Sequence, residues 1–106
     1  NIMTHEDSRR IIHDWAQGDF KSLKCVFVKS RTPIGDHYHK NKSEVFFLAL
    51  GNIEKLVLGD EITVDIKAPY VINVPPNTYH KFICSPGSII FGGATELFDP
   101  NDEIKR

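Results

Sequence analysis

The sequence has little of what would commit it to a special environment. Neither sign of charge dominates: 13 Lys and Arg stand against 14 Asp and Glu, for a formal net charge of −1. The basic surplus with which nucleic-acid binders displace counterions is therefore missing. Long hydrophobic runs are missing too. The longest purely apolar stretch, Val45 to Leu50, falls far short of the roughly 18 residues a membrane helix needs. Neither nucleic acid nor membrane is an expected partner. Cysteine is scarce: Cys25 and Cys84 follow no metal-binding or redox spacing, and each sits in an apolar run. That predicts two reduced core thiols rather than a disulfide scaffold. No charged-then-apolar leader opens the sequence as given, so a cytoplasmic protein is expected.

What is present is an ordinary globular composition, 41% hydrophobic and 25% charged over 106 residues. Such a chain is one domain that can bury one core in a two-layer or barrel arrangement. Residues 1–18 are polar and read as an N-terminal extension, in which Asp7 or Ser8 is placed to cap a short helix carrying Ile11, Ile12 and Trp15. From Leu23 onward short apolar stretches alternate with turn residues. The stretches are Leu23–Lys29, Glu44–Leu50, Ile53–Leu58, Ile62–Ile66, Tyr70–Val74, Tyr79–Cys84 and Ser88–Ala94. This rhythm predicts an all-β sandwich or barrel over residues 19–98. The charged residues 99–106 read as a solvated tail.

Three of the five histidines are not scattered. His37 and His39 stand two apart, so on a strand both imidazoles share one face. Glu44 opens the next apolar stretch after a four-residue polar connection, and His80 begins a later strand behind the turn Pro75-Pro76-Asn77. Should the sheet close, these four side chains can converge. Three imidazoles and one carboxylate suit a divalent transition ion such as Fe, Mn, Co, Ni or Zn. Four protein ligands on a six-coordinate ion leave two positions for water, substrate or dioxygen, which is the mark of a working site.

The run His37, His39, Glu44, Gly51 resembles the first motif of the cupin superfamily: His-x-His, four residues, an acid, six residues, Gly. Pro75-Pro76-Asn77-Thr78-Tyr79-His80 is similar to the second, Pro-x-Gly-x-x-His, with Asn77 in place of the glycine. Asn tolerates positive φ better than other side chains, so the exchange is mild. The resemblance implies a small antiparallel β-barrel of the cupin or jelly-roll kind, with His37, His39, Glu44 and His80 as metal ligands. Gly35 and Gly51 would serve its turns, and Pro75 with Asn77 would shape the corner that aims His80 inward. Asp36–Lys40 and Glu96–Asp102 bear a weaker resemblance to cupins of the sugar-nucleotide 3,4-ketoisomerase kind.

Alternation from Glu44 and His80 then places Phe46, Leu48, Leu50, Phe82 and Cys84 on the cup wall. Tyr38 and Tyr79 turn away, and His5 and His13 fall outside the motifs as surface residues. None of the inward positions is basic, which speaks against a deeply buried phosphate, although Lys40, Lys42 or Arg31 could hold one at the rim. The opposite face, Val45, Phe47 and Ala49, is also apolar and needs cover. Because small cupins are commonly dimers, a homodimer is expected, with cover by Ile11, Ile12 and Trp15 of the same chain as the alternative. By the resemblance, the protein is a metal-dependent isomerase or epimerase of a small carbohydrate-related molecule. Its base is a rim residue or a metal-bound hydroxide, since Glu44 is taken as a ligand. An Fe(II) dioxygenase and a non-catalytic small-molecule-binding module are the alternatives.

Overall fold

The computed structural model describes residues 2–105. Ten strands follow one another: β1 (Met3–Glu6), β2 (Ile11–Asp14), β3 (Ser22–Phe27), β4 (Ile34–His37), β5 (Glu44–Leu50), β6 (Asn52–Leu58), β7 (Glu61–Lys67), β8 (Tyr70–Val74), β9 (His80–Cys84) and β10 (Ile89–Ala94). A single 3₁₀ turn, Pro100–Asp102, comes after them. The stretches predicted from Leu23 onward coincide with β3 and β5–β10 to within about two residues.

Two four-stranded antiparallel sheets face one another, in the orders β3-β10-β5-β8 and β4-β9-β6-β7. No ladder of hydrogen bonds joins them among the described residues, so the jelly roll is an open sandwich and not the closed barrel expected. The inner faces meet over Phe46, Leu48, Ile53, Leu56, Ile66, Ile72, Phe82, Cys84 and Ile90. Burial of these side chains is the main driving force for the fold, at roughly 1.5–3 kcal/mol for each large one.

Several expectations are corrected. The N-terminal helix is a β-hairpin, in which β1 pairs antiparallel with β2. Asp7 does bind the N–H groups that follow it, those of Arg9 and Arg10 at 2.8 and 3.2 Å. Its own N–H, however, donates to the Arg10 carbonyl at 3.0 Å, which turns the chain back instead of starting a helix. The β-branched pair Ile11-Ile12 then extends as a strand.

Cys25 is exposed, not core, because β3 sends Ser22, Lys24 and Val26 inward and Leu23, Cys25 and Phe27 outward. Cys84 is buried. Leu50 also leaves the interior, since a bulge between Ile89 and Ile90 breaks the register at the end of β5.

The outer face of β5 is covered from within the chain. Trp15 stacks on Phe47 with ring centroids 5.6 Å apart and planes 8° from parallel. Phe20 packs over Gly93, where an added Cβ would stand 3.1 Å from its ring. His13 also lies against Phe47, at 5.6 Å, and so is not a free surface residue. His5 is exposed.

Candidate functional site

Two backbone devices carry the histidines to one point. In β4 an extra residue separates the pairs Gly35↔Lys81 and His37↔His80, and this bulge sets His37 directly opposite His80. Gly35 (φ 86°) makes it possible: a Cβ there would sit 2.7 Å from the His80 carbonyl oxygen and 2.9 Å from its ring. Asp36 (φ 69°) is the second left-handed residue of the bulge, and its carboxylate accepts the hydroxyl proton of Tyr79. That hydrogen bond holds the Asp36 carboxyl below its ordinary pKa. The other device is the corner before β9. Asn77 adopts φ 63°, and its N–H donates to the His39 carbonyl at 2.6 Å, tying the His80 corner to the His39 loop.

The ligand-type atoms of His37, His39, Glu44 and His80 all lie within 4.8 Å of one another. His39, Glu44 and His80 are buried and His37 is half-buried. Two of the imidazoles have their tautomers set by carbonyls, which can only accept. His39 Nδ1–H donates to the Asp102 carbonyl at 2.9 Å, and His80 Nδ1–H to that of Thr78 at 3.3 Å. Each ring therefore turns a bare Nε2 toward Glu44 Oε1, at 3.1 and 3.3 Å respectively. His39 Nε2 and Glu44 Oε1 have no hydrogen-bond partner, so with neutral rings these contacts set lone pair against lone pair.

Such a group of acceptors needs either protons or a cation between them. Protons on His37 and His80 are disfavoured. Burial, followed by the neighbouring charges of His80 and His39, lowers the His37 pKa to about 4. Burial likewise lowers that of His80, outweighing the attraction of Glu44. The donor set fits a divalent transition metal: neutral imidazoles, one carboxylate, and an outer hydrogen bond on two of the rings.

The cup around this cluster has a volume of about 100 Å³. Phe46 and Phe82 line it, whereas Leu48 and Cys84 belong to the apolar core and are not among its lining residues. Gly51 (φ 91°) stands at the β5–β6 turn against Ser88, away from the cup. Pro75 is in the turn before β9.

Sequence reasoning missed the inward face of β3, Ser22, Lys24 and Val26, which alternation from Val26 would have found. It also missed the C-terminal segment. Phe98 and Glu103 line the cup, and Asp102, far from being solvated, is buried. The Asp102 carboxylate accepts the N–H groups of Lys40 and Asn41 at 2.9 and 3.3 Å, while Tyr38 and Ile104 exchange both backbone hydrogen bonds. Of the three basic side chains expected at the rim, Arg31 pairs with Glu54 at 2.8 Å, Lys40 is exposed, and only Lys42 belongs to the cup.

No family model and no curated protein sequence matches this chain. Solved structures do. A TDP-quinovose 3,4-ketoisomerase from Campylobacter jejuni superposes with a TM-score of 0.83 at 19% identity, over 100% of this chain and 89% of that one. A 3′-monoepimerase from Streptomyces bikiniensis, in complex with dTDP-quinovose, gives 0.82 at 15% identity over 96% of this chain; this chain spans 65% of its length. A double mutant of a 3,4-ketoisomerase from Thermoanaerobacterium thermosaccharolyticum, in complex with TDP, gives 0.81 at 22% identity, over 99% and 83% of the two chains. The shared property is the fold. It is a cupin-like jelly roll.

Proposed function

We propose that His37, His39, Glu44 and His80 hold one divalent transition metal (Fe, Mn, Co, Ni or Zn), and that the protein is an isomerase or epimerase of a small carbohydrate-derived molecule. The observation that carries the metal is the pair of orphaned acceptors, His39 Nε2 and Glu44 Oε1, buried 3.1 Å apart. When bound, the ion supplies Lewis acidity at a substrate carbonyl, which eases loss of a proton from the neighbouring carbon. The chain itself does the rest. Val26, Ile34, Phe46, Phe82 and Ile90 keep the floor of the cup apolar and exclude water. Glu103 is the one carboxylate of the lining outside the cluster, among the described residues, and is the residue we assign to accept the carbon-bound proton and return it. The epimerase and ketoisomerase activities named for the structural neighbours support this reaction type.

The test is solvent exchange. Metal-loaded protein in D2O with 4-keto sugar nucleotides and free ketoses is expected to introduce deuterium beside the carbonyl. The exchange should stop in Glu103→Gln, with metal content unchanged, and on chelation. Absence of exchange from every such sugar would overturn the isomerase reading, and oxygen uptake by the iron-loaded protein in its place would make this a dioxygenase.

We further propose a homodimer that covers the outer face of β3. Leu23 and Phe27 are 73% and 68% exposed there, on an edge strand of the sheet. The β1–β2 hairpin is a separate two-stranded sheet, marginal by itself, and leaves Met3, Ile11 and Ile12 exposed as further apolar surface for a partner copy.

A further inference from the structure

Lys42 lies in the polar connection between β4 and β5, two residues before Glu44. It lines the cup and is only 6% exposed. Among the described residues no hydrogen bond or ion pair reaches its ammonium group. Two carboxylates line the cup with it: Glu44, whose Oε1 faces His39 and His80, and Glu103, and among the described residues neither forms an ion pair with Lys42. The side chain is almost wholly enclosed by protein, and its ammonium group, which is not among the fully buried polar atoms, is left without a counter-charge. A lysine whose stem is enclosed and whose unpaired charge lines the cup is available to an anionic partner that enters there.

Two further observations point to the nature of that partner. Lys24, on the inward face of β3, lines the same cup. Its stem runs past Gly92, where an added Cβ would lie 3.4 Å from Lys24 Cγ. The lining thus holds two ammonium groups, Lys24 and Lys42, and two carboxylates, Glu44 and Glu103. With a divalent ion in place, the cup carries a surplus of positive charge. Its volume of about 100 Å³ is well below the roughly 300–1,000 Å³ of sites for drug-sized ligands. It suits a small head group, with any remainder of the molecule outside the mouth.

We propose that Lys42, aided by Lys24, seats an anionic group of the ligand, a phosphate or a carboxylate, so that the molecule taken into the cup is an acidic derivative of a small carbohydrate. This rests on the carbohydrate reading above and narrows its substrate class. Lys42 contacts the ligand's charged group and takes no part in proton transfer.

The experiment is titration calorimetry of the metal-loaded full chain with inorganic phosphate, acetate and glucose, repeated on Lys42→Met, Lys42→Arg and the exposed control Lys40→Met. Phosphate or acetate is expected to bind and glucose to bind more weakly. The preferred anion should lose tenfold or more in affinity in Lys42→Met, recover most of it in Lys42→Arg, and be unaffected in Lys40→Met. Phosphate above acetate identifies a phosphorylated ligand, and the reverse order a sugar acid. Anion binding that is absent from the parent protein, or equal in the parent and Lys42→Met, overturns the proposal. Metal content and deuterium exchange on neutral ketoses are measured on the same samples. Exchange without Lys42-dependent anion binding sinks only this inference, and the converse sinks only the isomerase reading.

Discussion

His39 Nδ1 donates its proton to the main-chain carbonyl of Asp102 at 2.9 Å, across 63 positions of sequence. That one bond decides which nitrogen of the ring faces Glu44, and the Asp102 side chain secures it by holding the Lys40–Asn41 backbone.

Replacing Asp102 by Ala should therefore weaken metal binding without removing a ligand. Outer hydrogen-bond partners of metal-bound imidazoles typically matter by about 10–100-fold in affinity. Leaving the N–H groups of Lys40 and Asn41 unsatisfied should cost about 1–3 kcal/mol of stability. Metal titration and denaturant unfolding measure the two effects, and an unchanged metal affinity would show that the C-terminal segment does not orient His39.

His39→Ala and His80→Ala should each lose the metal while keeping the jelly roll, as judged by far-UV circular dichroism. Chelation of the parent protein should lower its melting temperature, since an ion bound only by the folded state stabilises it through linkage. Superimposable melting curves with and without chelator, or full metal occupancy in both variants, would count against the ligand assignment.

Gly35→Ala tests the bulge. The left-handed φ of 86° penalises any side chain, and the new Cβ would meet the His80 carbonyl oxygen at 2.7 Å. A loss of about 1–3 kcal/mol is expected from the backbone conformation, with displacement of His80 and loss of metal. A variant of parental stability and metal content would show that the close approach of β4 and β9 is not required.

The chelated protein should lose stability as pH falls from about 6.5 to about 4. His37 has its pKa lowered to about 4 in the fold, against an ordinary 6.5, chiefly by burial. Between those values the unfolded chain binds a proton at this position and the folded chain does not. Stability therefore rises with pH in that window and is fully present above 6.5. His80, lowered in the same direction, adds to the slope. Urea midpoints across pH 4–7 measure it, and a midpoint flat in that range in the parent but not in His37→Gln would contradict the assignment. The loaded protein should release its ion below about pH 6, as the imidazoles protonate.

Sedimentation should give twice the chain mass for the parent and one chain mass for a Leu23→Lys, Phe27→Lys double variant. A parent protein that sediments as one chain would dispose of the dimer.

Strand periodicity from Leu23 onward was plain in the sequence because those strands bury one or both faces, and burial is what writes alternation into a chain. The four candidate ligands were legible too, since His37, His39, Glu44 and His80 carry a motif whose spacing follows from strand geometry. The N-terminal hairpin was not. Asp7 offers the same side-chain bonds to a helix start as to a tight turn, and the strands it joins bury little. Burial of Asp102 escaped because a run of charged residues at a chain end looks alike whether solvated or bound to a distant backbone.

The sequence by itself determined that the protein is a β sandwich or barrel bearing a His-x-His, Glu, His set. Both follow from residue identities repeated at short range. Tertiary structure decided the rest. The bulge at Gly35–Asp36 set His37 against His80, the Asp102 carbonyl chose the tautomer of His39, and the packing of the two sheets left Lys42 lining the cup without an ion-pair partner among the described residues. Each depends on groups that meet only when distant segments pack, and local spacing carries no record of such meetings.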